Sequence, residues 1–198
     1  MTLAQKLRAR LAEQDLETPP LIAGDTGHGS DPAAMVPAAV LIAITDRPTP
    51  GLLLTQRTAH LRKHAGQVAF PGGRIDPDDD GPVAAALREA DEEIGLPPGQ
   101  VEVIGTTDLY RTVTGFSVTP VVAIVPPDLA LTPHAEEVAA VFEARLDHLL
   151  DPANHVLREV HYEGRLRRYY EIMWEDFRIW GATAAMIVNL AARIGPCL

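Results

Sequence analysis

Arg88, Glu89, Glu92 and Glu93 crowd into one short segment, ALREADEEIG, and their spacing is what could do chemistry. On a helix, residues at i, i+3 and i+4 share a face, so the three carboxylates become neighbours. Each like-charge contact costs a few tenths of a kcal/mol on the order of the usual pair terms. The acids also fall in the C-terminal half of the helix, where its dipole disfavours negative charge. Two accounts fit such a cluster. One is a solvated acidic face steadied by an Arg88 to Glu92 pair at i, i+4. The other is a set of hard oxygen donors for Mg2+ or Mn2+, ions that favour carboxylates and keep positions for water and phosphate.

The elements that must hold these residues are readable from their punctuation. Phe70-Pro71-Gly72-Gly73 is a tight turn, because proline fixes φ and the glycines allow close backbone approach. Asp76 to Gly81 is an acidic loop. Pro82 suits the first helical position, with Asp79 or Asp80 as cap, and Gly95 with Pro97 and Pro98 marks the end. Within the helix Val83, Leu87, Ala90 and Ile94 predict one apolar stripe, with the glutamates on the opposite side.

Ahead of the turn lies a cationic island, Arg57, His60, Arg62, Lys63 and His64, in a chain whose formal net charge is -10. Basic residues on a strand edge are ordinarily just solvated. Placed here they can also meet phosphates, for which the arginine fork is well shaped. Among outlying residues, Tyr110 and Phe116 flank a loop, Arg111 to Gly115, that could stack an adenine or line the core. His134 reads as a surface histidine, Trp174 and Trp180 as core, and Cys197 carries no role.

The remaining chain supplies one domain of 198 residues with 46% apolar content. An acidic balance with pI near 5.1 excludes a protein that embraces a nucleic-acid backbone. No segment has the length and apolarity of a membrane span. One cysteine excludes an internal disulfide and fits a reducing cytoplasm. Leu3, Leu7 and Leu11 predict an amphipathic N-terminal helix, followed by a loop arm to residue 36. Strands are expected at Ala38 to Thr45, Gly51 to Thr55, Gln67 to Phe70, Val101 to Thr106, Ser117 to Val125 and Glu137 to Phe142. A short helix is expected from Arg145 to Leu150, a hairpin from Val156 to Trp174 turning at Glu163-Gly164, and a last helix from Ala182 to Ile194.

The segment from Gly73 to Leu96 resembles the Nudix box. Its second half, Arg88-Glu89-Ala90-Asp91-Glu92-Glu93-Ile94-Gly95-Leu96, matches every fixed position, whereas the first half has Asp79 in place of glutamate and one extra residue. Upstream, Leu53-Leu54-Thr55-Gln56-Arg57, Arg62, Gly66 and Phe70-Pro71-Gly72-Gly73 resemble the coenzyme A diphosphatase branch of the Nudix hydrolases, which shares those departures. Ile179 to Ala184 resembles a further segment of that branch. The likeness runs from about residue 37 to 190.

The resemblance implies an α/β fold, a mixed sheet sandwiched between helices with a catalytic loop and helix, over residues 37–198, with residues 1–36 as an arm packed on it. It implies hydrolysis of a small-molecule nucleotide of the coenzyme A class, with Mg2+ or Mn2+ as cofactor, and it allows a homodimer. Glu89, Glu93 and the Gly72 carbonyl would be metal ligands, and Glu92 a further ligand or the group that deprotonates water. Arg88 would orient the carboxylates. Glu137, followed by Val138, would supply another catalytic or metal-binding carboxylate, and Arg57, Arg62 and Lys63 would face phosphates. ADP-ribose, NADH or a noncanonical nucleoside triphosphate is the alternative substrate, and a catalytically silent nucleotide-binding domain the alternative role.

Overall fold

An apolar run without alternation, such as Pro37 to Ile44, is a stable strand only when both faces of its sheet are covered. The computed structural model, which describes residues 1–13, 20–24, 34–60, 64–162 and 165–195, shows that arrangement. In chain order come α1 (Leu3–Ala12), β1 (Val36–Thr45), β2 (Gly51–Arg57), β3 (Val68–Ala69), β4 (Gly72–Arg74) and α2 (Gly81–Ile94). Then follow β5 (Glu102–Thr106), β6 (Tyr110–Arg111), β7 (Phe116–Val125), β8 (Val138–Arg145), α3 (Leu146–Leu150), β9 (Val156–Tyr162), β10 (Arg165–Trp174), β11 (Phe177–Trp180) and α4 (Ala182–Ile194).

The central sheet is mixed, in the order β3-β2-β1-β7-β5, with β4 on β1, β6 on β7 and β8 on β2. β1 and β7 run parallel from Val36↔Phe116 to Thr45↔Val125. Alternate residues of both strands serve different cores. Ala38, Ile42, Ile44, Val118 and Val122 pack under α1, α3 and α4. Ala39, Leu41, Ala43, Val121 and Ala123 pack under α2. The N-terminal helix earns its place through Leu7, which is fully buried and contributes roughly 1.5–3 kcal/mol by that burial.

Two strands arranged themselves differently from a simple hairpin. β1 and β2 meet at Ile44↔Leu52 and then separate, β2 taking β3 and β8 as partners while β1 takes β4 and β7. The chain from Ala69 to Gly72 therefore crosses from β2, where Thr55↔Ala69 pair, to β1, where Val40↔Gly72 pair. That crossing sets the glycine turn over the opened end of the hairpin.

Some expectations need correction. The Tyr110 to Phe116 stretch is a hairpin of β6 and β7, and of the two roles open to Tyr110 it takes the core one, at 2% exposure. β11 adds a third strand to the β9 and β10 hairpin. Trp174 packs against the core, whereas Trp180 is half-buried on the other face, edge-on to Tyr169. The expected turn at Glu163-Gly164, and Cys197, lie outside the described residues.

Candidate active site

Helix α2 approaches the sheet closely because its inward surface is built from small residues. Ala85, Ala86 and Ala90, with Ile94, pack on Ala39, Leu41, Ala43 and Leu53. Val83 and Leu87 are only partly buried, so the inward face is rotated from the stripe the spacing suggests. The rotation carries Glu93 inward. It is 7% exposed and lies among the buried residues, not opposite them. Side-chain exposure then ranks the three carboxylates as Glu93 at 8%, Glu89 at 18% and Glu92 at 61%. Asp80, one of the two expected caps, stands at the N-cap position, but its side chain makes no cap bond. Gly95, left-handed at φ 65, ends the helix as expected.

Asp79 turns instead to Arg88. Its two oxygens accept from Arg88 Nε at 3.0 Å and Nη2 at 2.9 Å, a bidentate fork. Arg88 also donates to Glu89 and Glu92, each at 3.1 Å, and to the Arg74 carbonyl at 3.1 Å. The fork lowers the Asp79 pKa, chiefly through the hydrogen bonds from Arg88. One guanidinium thus ties the loop, the glycine turn and two carboxylates together. Sequence reasoning missed that part for Asp79 because a pairing nine residues apart has no helical signature.

The glycine turn presents backbone to the carboxylates. Leu41 N–H bonds the Pro71 carbonyl and Ile75 N–H bonds the Pro37 carbonyl, which makes Val40↔Gly72 a non-hydrogen-bonded pair of the ladder. The N–H and carbonyl of Gly72 therefore both point away from β1. Its N–H donates to Glu93 Oε2 at 3.2 Å, so its carbonyl faces the same side. Gly73 lies so close to Glu89 that any Cβ there would collide with the carboxylate. A larger residue at Gly73 would have to push that carboxylate aside.

Arg57 and Glu137 complete the cluster from distant parts of the chain. A bulge between Gln56 and Arg57 re-aims the end of β2. Arg57 Nη1 then stands 3.8 Å from Glu93 Oε1, and Nη2 stands 4.0 Å from Glu137 Oε2. Glu137 is delivered by the loop before β8. His134 N–H and Thr132 N–H satisfy the Glu93 and Ile94 carbonyls at the end of α2, while Thr58 N–H bonds the Glu137 carbonyl. The structure thus brings together Arg57, Gly72, Arg88, Glu89, Glu92, Glu93 and Glu137. Arg62 and Lys63 lie outside the described residues.

Electrostatics distinguishes the members. Burial pushes the Glu93 carboxyl up to about 7, only partly offset by the Gly72 N–H and by Arg57. Burial raises Glu89 as well, against the pull of Arg88. Two inward carboxylates with too little positive charge form a donor set suited to a hard divalent cation. Among the described residues no three acidic or histidine side chains already converge as a closed cage. The reason is visible: Glu89 and Glu92 are drawn to Arg88.

Comparison with known proteins decides the family. The NUDIX domain family model matches residues 35–168. The chain belongs to the NUDIX domain family. Relatives include the uncharacterized Nudix hydrolase NudL of Escherichia coli O7:K1 strain IAI39, 51% identical over 158 residues, covering 80% of this chain and 82% of that protein. NudL of Escherichia coli strain K12 has the same identity and coverage. Among solved structures, a Nudix hydrolase from M. smegmatis, RenU, is 27% identical with a TM-score of 0.48, covering 63% of this chain and 73% of that one. This Nudix chain is an enzyme, a hydrolase of phosphoric anhydrides. No described helix is long and apolar enough to cross a membrane.

Proposed function

We propose that this Nudix hydrolase cleaves the diphosphate bond of coenzyme A or its derivatives in the cytoplasm, releasing 3′,5′-ADP and 4′-phosphopantetheine or its acylated form. The observation that carries the reading is the position of Arg57. It belongs to the Leu53 to Phe70 run, whose pattern resembles the coenzyme A diphosphatase branch, and its guanidinium stands within 4.0 Å of carboxylates on two other elements. A residue of the motif that points to the substrate is thereby in the cluster that points to the reaction.

Glu89, Glu93 and the Gly72 carbonyl would hold Mg2+ or Mn2+, with Glu92 as a further ligand or as the acceptor of the water proton. A bound divalent ion would stabilise charge on the phosphoryl oxygens and lower the pKa of a bound water. Arg88 holds Glu89 and Glu92 in place through its fork on Asp79. Glu137, half-exposed at the rim, supplies a further carboxylate toward the same space. Arg57, Arg62 and Lys63 offer cationic donors to the phosphates.

The test is a substrate panel. Coenzyme A, acyl-coenzyme A, ADP-ribose, NADH and noncanonical nucleoside triphosphates are incubated with the protein and Mg2+ or Mn2+, and products are identified by mass spectrometry. The expected result is release of 3′,5′-ADP, with the highest kcat/KM for a coenzyme A compound. Preferred cleavage of another nucleotide, or binding without turnover, would overturn the assignment.

A further inference from the structure

We propose that Arg57 is a placeholder cation: its guanidinium balances Glu93 and Glu137 in the metal-free enzyme and yields that place when a divalent ion enters. The inference rests on the metal reading above and concerns a positioning role that the resemblance does not assign.

Three features support it. First, Arg57 lies between carboxylates from separate elements, Glu93 of α2 and Glu137 of the loop before β8, at 3.8 Å and 4.0 Å. These separations are too long for hydrogen bonds, so the contact is one of charge rather than of fixed geometry. Second, the backbone is pinned while the head is not. Arg57 N–H bonds the Gln67 carbonyl, and its own carbonyl accepts from Gly66, whereas the guanidinium has no hydrogen-bond-length partner among the carboxylates it faces. Third, Glu93 has no closer cation. Arg88 donates to Glu89 and Glu92 and to Asp79, leaving Arg57 as the one described guanidinium paired with Glu93.

A small divalent ion binds carboxylate oxygen at about 2 Å, a closeness and charge density no guanidinium matches. The two cations repel across the shared carboxylates, so arrival of the ion weakens the hold on Arg57. The freed fork is then beside the space for a phosphate, to which it can donate two parallel hydrogen bonds. Arg57 and the ion thus compete for the carboxylates before substrate arrives and act together afterwards.

Competition has a sign that a merely structural or merely substrate-facing arginine would not give. Mn2+ affinity of the metal-free protein is measured by electron paramagnetic resonance for the native chain, Arg57→Ala, Arg57→Lys and Glu93→Gln, with thermal unfolding followed with and without Mn2+. Arg57→Ala should bind Mn2+ more tightly, by about fivefold, within the usual range of site coupling. Its metal-free Tm should fall, and Mn2+ should raise it by more than in the native chain. Arg57→Lys, which keeps the charge, should stay close to native. If Arg57→Ala fails to fold without metal, Arg57→Gln against Arg57→Lys gives the same contrast. Affinity in the neutral variants that is unchanged or weaker than native overturns the placeholder role alone. Native protein that takes up no Mn2+, or takes it up equally well as Glu93→Gln, overturns the metal reading and this inference with it.

Discussion

Glu93 and Glu171 are equally buried, each at 7% exposure, yet they are treated in opposite ways. Glu171, on β10, is clasped by Arg178 Nε at 2.5 Å and Arg158 Nε at 3.0 Å, and the Arg178 hydrogen bond is the main cause of its lowered pKa. Glu93 has a backbone N–H and a guanidinium 3.8 Å away, and burial drives its pKa up to about 7. A buried carboxylate with its charge fully met is a fastening. One left short of positive charge is protonated more readily and is a candidate place for a cation. That difference is the ground for proposing the cation site at Glu93.

Exchanging each glutamate for glutamine separates these two cases, beginning with the largest effect. Glu93→Gln should lower kcat by roughly 100- to 10,000-fold, while its metal-free unfolding transition stays at or above that of the native chain, because an unfavourably buried charge is removed. A large fall in Tm would mean that Glu93 is a fastening after all. Arg88→Lys should cost about 10- to 100-fold in metal affinity or kcat, as losses of ligand-orienting partners do, since an ammonium cannot reproduce the fork on Asp79. Metal titration and steady-state rates check it.

Glu171→Gln should show the reverse profile: near-native turnover, with stability lowered by roughly 1–2 kcal/mol, kept modest because both arginines are about half exposed to water. Denaturant unfolding checks it. The smallest effect is in its pH dependence. The Glu171 carboxyl titrates below its ordinary value in the folded state, so its stabilisation is present above the unfolded-state pKa and is lost as pH falls through the depressed one. Native protein should therefore lose stability on acidification over that window more steeply than Glu171→Gln. Parallel curves would show that the clasp contributes nothing.

Much of the site was legible before any coordinates. Pro82 and Gly95 bounded α2, and the Phe70 to Gly73 turn has glycine at position 72, where φ is 155 and a Cβ would strike the backbone of β1. The apolar runs of β1 and β7 named strands, and the Nudix resemblance implied the sheet between helices that they form. What spacing could not give was depth. Periodicity set all three glutamates opposite the core, but the alanines of α2 and of β1 let the helix lie so close that Glu93 turned inward. Nor could it give pairings set by the loop path, such as Asp79 with Arg88, or by tertiary closure, such as Arg57 with Glu137. The extra strands β6 and β11 were missed because each is short and takes its regularity from a longer neighbour.

The central claim is that the inward carboxylates of α2 and the glycine turn form one cation site. Crystals soaked in Mn2+, with an anomalous difference map, test it most directly. The account predicts a peak bounded by Glu89, Glu93 and the Gly72 carbonyl, with Arg57 moved away from Glu93. A peak elsewhere on the molecule, or none beside Glu93 in protein that turns over substrate with Mn2+, would contradict it.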